Sequence, residues 1–113
     1  MRAHEIITES IAPKKLVSRP IKKTRLTVAE FRDSYMERHG VGVRQLLHGD
    51  CEEFADEFIA TFGGTMYVTP EDELFGNYYH FFMQLGDRFY DGAAPEGVAD
   101  WRELPSIKEY FLR

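Results

Sequence analysis

A chain of 113 residues, 43% of them hydrophobic, can bury one core but not two, which excludes multi-domain machinery. A net charge of −5 argues against general nucleic-acid binding, which needs a basic surface to neutralise phosphates, and a single cysteine excludes an internal disulfide. No apolar run approaches the roughly 18 residues of a membrane span and the N-terminus lacks the apolar h-region of a signal peptide, so no membrane partner and a cytoplasmic address are expected.

Residues 1–25 read as a basic, solvated N-terminal arm or leader. Lys14, Lys15, Arg19, Lys22, Lys23 and Arg25 stand among scattered Ile, Leu and Val, with prolines at 13 and 20. Residues 26–113 then form a single domain. Thr27 to Glu30 is a capping-box pattern, followed by Val28, Phe31 and Tyr35 at helical spacing, and Gly40 closes that helix. A link over 41–49 leads to the central element.

In that element Cys51, Phe54, Ala55, Phe58, Ile59 and Phe62 recur along one face of a 3.6-residue period. Asp50 is the natural N-cap, Glu53 its partner at N3, and Gly63-Gly64 the stop. Cys51 therefore falls at N1, where the backbone dipoles favour an anion such as a thiolate.

Residues 65–69 predict a short strand and 70–77 a turn-rich stretch. A hairpin follows, with residues 77–85 and 88–91 joined by the two-residue turn Gly86-Asp87. That turn length sets Leu85 opposite Arg88 and Gln84 opposite Phe89. His80 and Asp91 then share a face as diagonal neighbours, within reach of an imidazole–carboxylate hydrogen bond. A slip of one residue would part them. Residues 92–104 read as a loop anchored by Trp101. Ser106 to Glu109 is a second capping box, opening a short helix with Ile107, Tyr110 and Phe111 on its apolar side. Helices grouped before an antiparallel sheet predict an α+β domain, with the cysteine helix packed on the sheet.

A cysteine attacks a carbonyl as thiolate, its imidazole partner takes and returns the proton, and a third group holds the imidazole. Cys51, His80 and Asp91 are the candidates for those three roles. The structural alternative is a buried cysteine and a strand histidine satisfied by any carbonyl. Gln45, six residues before Cys51, is a candidate oxyanion donor, and His48 a candidate second imidazole. Asp50, Glu52 and Glu53 flank the thiol and would raise its pKa unless His80 or a cation compensates. Calcium on Asp50 and Glu52 is one such cation, although two acids fall far short of its usual ligand number; no other cofactor is implied. Tyr78, Tyr79 and Trp101 are expected in the core, with cleft lining as the alternative.

The segment Gly49-Asp-Cys-Glu-Glu-Phe-Ala55 with Phe62-Gly63 resembles the transglutaminase-like branch of the papain-like cysteine peptidase superfamily, of the bacterial transglutaminase-like cysteine proteinase type. His80-Phe-Phe-Met with Gly86, then Phe89-Tyr90-Asp91, is similar to that branch's His and Asp strands in the order Cys, His, Asp. The resemblance covers roughly residues 45–92. It implies a compact papain-like core with Cys51 as nucleophile, His80 as general base and acid, Asp91 as orienting carboxylate and Gln45 at the oxyanion. It also implies a peptide, isopeptide or other amide substrate, and calcium in some members. The chain departs from the pattern in its short separations, 29 residues from Cys51 to His80 and 11 from His80 to Asp91, and in lacking an Ile-Pro-x-Arg after the central helix. Ovarian-tumour-type deubiquitinases also carry Gly-x-Cys, with the histidine usually much farther on. Residues 1–9 resemble leaders of small tailed-phage proteins, which would make the address a host cytoplasm. A non-catalytic binding or structural protein on the same fold is the alternative function, and neither reading fixes an oligomeric state.

Overall fold

Apolar residues at helical spacing and alternating residues in short strands need a common surface to cover them. The computed structural model supplies it as a four-stranded antiparallel sheet with helices packed on it. It describes residues 12–69 and 79–111, without the side chains of Tyr110 and Phe111. The leader of residues 1–9, the turn-rich stretch 70–77, Tyr78 and the apolar side expected of Tyr110 and Phe111 lie outside the described residues.

The elements run β1 (Lys14–Arg19), α1 (Val28–His39), α2 (Val43–His48), α3 (Cys51–Phe62), β2 (Gly64–Val68), β3 (Phe81–Leu85), β4 (Arg88–Tyr90), a 3-10 turn (Trp101–Glu103) and α4 (Pro105–Phe111). Strand order follows chain order, β1-β2-β3-β4. The α+β class thus holds, with two differences from the sequence expectation. Lys14–Arg19, expected in a solvated arm, pairs along β2 with a bulge between Lys15 and Val17. Its side chains are mostly exposed, and only half-buried Val17 packs on the core, so the segment carries little strand-like alternation to betray it. Within the expected link, Val43–His48 is a six-residue helix, whose single buried residue, Leu46, leaves no periodicity to read.

Direct cross-strand partners Val17, Met66, Met83 and Tyr90 form a row beneath the helices. On it lies a core of Phe54, Phe58, Ile59 and Phe62 from α3, with Val28, Phe31 and Tyr35 from α1. Phe31 meets three α3 rings, with centroids 5.3 Å from Phe54, 5.9 Å from Phe58 and 5.5 Å from Phe62. These contacts fix how α1 crosses α3. The opposite sheet face carries Tyr67, Phe82 and Phe89, covered by Ala94, Val98, Trp101, Leu104 and Ile107. Phe82 lies between Tyr67 and Trp101, its ring stacked on both at 5.5 and 5.7 Å. Trp101 is an anchor, as expected.

The ends of the elements follow local chemistry. Thr27 Oγ1 accepts the Glu30 N–H at 3.1 Å while Glu30 Oε1 accepts the Thr27 N–H at 2.9 Å, the reciprocal box expected. Gly63 ends α3 at φ 77°, ψ −154°, a region open to glycine alone, and a Cβ there would run into the Pro20 carbonyl. The last helix starts at Pro105 rather than after Ser106. Proline suits N1 because its missing N–H would have no partner there, so Ser106 stands inside the helix instead of capping it.

Candidate active site

The hairpin forms in the register that a two-residue turn dictates. Leu85 pairs with Arg88, Gln84 with Phe89 and Met83 with Tyr90. The end remote from the turn therefore brings His80 and Asp91 together, and Nε2 of the imidazole lies 2.8 Å from Asp91 Oδ2. With 0% and 1% of their side chains exposed, the two meet away from water, where a charge-assisted hydrogen bond is strong.

Each partner is held from behind. The His80 N–H donates to Thr69 Oγ1 at 2.9 Å and its carbonyl accepts the Thr69 N–H at 3.0 Å, which extends the β2–β3 ladder by one step. Asp91 Oδ1 accepts the Ala93 N–H at 2.9 Å, an Asx turn that fixes the carboxylate. Gly92 lies so close to Leu46 of α2 that a Cβ would sit 2.6 Å from the leucine Cβ. Its carbonyl also accepts from Arg32 Nη1 of α1 at 3.3 Å.

Cys51 opens α3 and is half-buried. Its thiol is directed at the Tyr79 carbonyl, with Sγ 3.9 Å from the oxygen. Burial alone would push the thiol pKa up. Hydrogen bonding with His80, the Phe81 N–H, the imidazole charge and the Glu52 N–H outweigh it, so the thiol lies below its ordinary value. For His80, burial pulls downward, but hydrogen bonds with Asp91 and with Cys51, and the charge of each, raise it to about 9. A lowered thiol beside a raised imidazole is the condition for a thiolate–imidazolium pair. His80 and Asp91 meet as expected, with the Cys51 thiol near enough for each to shift the other's titration.

Asp50 takes its expected position but not the expected bond, and it engages Gln45. Asp50 stands at the N-cap of α3 without a side-chain bond to the helix amides. Its Oδ2 accepts from the Tyr35 hydroxyl at 3.1 Å and its Oδ1 from Gln45 Nε2 at 3.0 Å. The Gln45 amide expected at an oxyanion is thus bound to a carboxylate, which offers a charged acceptor at shorter range. Each Asp50 oxygen thus accepts one protein donor. Among the described residues no three His, Cys, Asp or Glu side chains cluster so as to hold a metal ion, and Glu52 is exposed in the first turn of α3. His48 is exposed at the last position of α2, and Tyr79 is 49% exposed rather than in the core.

Tyr35, Thr69, Arg32 and Gly92 were not legible as site residues. Tyr35 reads as a core position on its helix face, and nothing local announces that its hydroxyl meets Asp50. The Asp91-Gly92 pair is the one signal that marks a tight passage next to the site.

Compared with known protein families, with curated proteins and with solved structures, the chain gives no match. Among the described residues no helix is long and apolar enough to cross a membrane.

Proposed function

We infer that this chain is a cysteine hydrolase or acyltransferase acting on a peptide, isopeptide or other amide of a protein substrate, built on a compact core resembling the papain-like, transglutaminase-like one. The observation that carries the reading is the buried His80–Asp91 pair, 2.8 Å long, set beside a thiol at the first residue of a twelve-residue helix. In this reading the Cys51 thiolate attacks the amide carbonyl. The oxyanion forms beside the open amides of α3, and imidazolium His80 protonates the leaving nitrogen. Asp91 holds the imidazole in place. Water then releases the acyl group, or an amine accepts it. No cation is needed to offset the flanking acids, because the imidazole supplies the compensating charge.

The test is the alkylation of Cys51 by iodoacetamide. The wild-type thiol should react faster at pH 7 than a free cysteine, whose pKa is about 8.5. His80→Ala should lose that advantage and, with Cys51→Ala, any amide-cleaving activity. Equal alkylation rates in wild type and His80→Ala would sink the enzyme reading.

A non-catalytic binding protein on the same fold is favoured by one observation. A groove of about 430 Å³ lies beside the C-terminal half of α3, lined by Val17, Arg19, Ile21, Asp56, Ile59 and Met66, well along the helix from Cys51. On that reading Cys51→Ala would leave the activity of the protein in its host unchanged. A cytoplasmic address, that of the host if the chain is phage-encoded, goes with either reading.

A further inference from the structure

Aspartate is among the best N-cap residues because its carboxylate takes the first free amides of a helix. At the start of α3 that would place a bound acid on the same amides that favour a thiolate at Cys51. Asp50 holds the N-cap position, yet its carboxylate makes no bond to the helix. One oxygen is held by the Tyr35 hydroxyl of α1 at 3.1 Å and the other by the Gln45 amide of α2 at 3.0 Å.

The clamp is built, not incidental. Tyr35 is fully buried and its hydroxyl pKa is raised well beyond the usual phenol range, by burial first and then by its bond to Asp50, so it stays a donor. Its ring stacks on His39 at 4.1 Å and meets Phe54 edge-on at 5.2 Å, which fixes where the hydroxyl points. Gln45 is exposed, and its backbone is anchored at the turn into α3. Its backbone carbonyl accepts the Gly49 and Asp50 N–H groups at 2.9 and 2.8 Å. Its side chain lies over Gly49 where a Cβ would collide with the amide. A glycine before Asp50 thus leaves the Gln45 amide room to reach the carboxylate.

We propose that Tyr35 and Gln45 are positioning residues that divert the Asp50 carboxylate from the N-terminus of α3 and so leave the helix amides to the sulfur of Cys51. This deepens the reading of Cys51 as a nucleophile and rests on it. The role of Asp50 is then to tie α1 and α2 to the helix start without capping it.

The test compares iodoacetamide rates at pH 7 in variants that all retain Cys51 and His80. In Tyr35→Phe/Gln45→Leu the carboxylate loses both donors and is free to cap α3. Alkylation should slow by about three- to fivefold, the ratio set by a helix-terminus charge interaction of ordinary size. Adding Asp50→Ala removes the competing acid, and the rate should return to within about twofold of wild type on the same scale. A double variant as fast as wild type overturns the proposal. So does a triple variant as slow as the double, since a merely damaged fold would not be rescued by a further truncation. Circular dichroism melting confirms that each variant is folded, and Tyr35→Phe alone, expected to slow in the same direction, serves if the double melts too low. Failure of the enzyme reading shows separately, as a wild-type thiol no faster than in His80→Ala.

Discussion

His80 carries the pH behaviour of the site. Its value of about 9 lies above the ordinary 6.5, so it is protonated at neutral pH and loses its proton as pH passes upward through the raised value. Amide cleavage that needs an imidazolium to protonate the leaving nitrogen should therefore fall on a basic limb near pH 9, and a limb near 6.5 would contradict the pairing with Asp91. The same shift bears on stability. A histidine raised in the folded state stabilises it fully below its unfolded value and loses that contribution as pH rises through the folded one. The lowered thiol acts in the opposite sense, present at high pH and lost on acidification. Cys51→Ala isolates the histidine, so its melting temperature should decline as pH is raised from 6 to 10, with the midpoint of loss below 9 because the thiolate no longer helps hold the proton. A flat profile would contradict it. The His80–Asp91 meeting was legible before the structure because a two-residue turn fixes register. The Asp50 clamp was not, since capping preference is a local rule and Tyr35 answers from another helix.

Elements differ in how much of themselves they show in sequence. α3 was legible throughout, because its apolar face repeats and two glycines end it. β1 was not, because an edge strand paired on one side and solvated over most of its side chains leaves no pattern of two. Yet it covers β2 and sets Val17 in line with Met66, and Ser18 Oγ meets Thr65 Oγ1 at 3.1 Å. A chain shortened to begin at Pro20 should lose about 2 kcal/mol or more, from the partial burial of Val17 together with the ladder bonds. It should also expose β2 as an unpaired edge prone to association. Urea unfolding with light scattering measures both, and an unchanged midpoint would return residues 14–19 to the role of a solvated arm.

The molecule as a whole is three layers, with α1 to α3 on one sheet face and the 3-10 turn and α4 on the other. The α+β class could be read from element order. The second layer could not, because Ala94, Leu104 and Ile107 are scattered through a segment that reads as loop and is joined to the sheet by the stack of Trp101 on Phe82 and the bridge of Val98 to Phe89. Closure of this architecture requires β1 to find β2 across residues 20–63, a slow, long-range event, whereas β3 and β4 meet across two residues.

That disparity gives the site a history. The imidazole and its carboxylate belong to the hairpin and can meet early, while the sulfur arrives only when α3 docks on the sheet. Pulse alkylation during refolding should find Cys51 gaining its enhanced rate in the final phase, and a gain in the earliest phase would contradict this order. A chain still on the ribosome or caught half-folded thus carries an ordinary thiol. On the proposed reading of Cys51 as a nucleophile, reactivity is withheld until the molecule is finished, and the fold is its own safety catch.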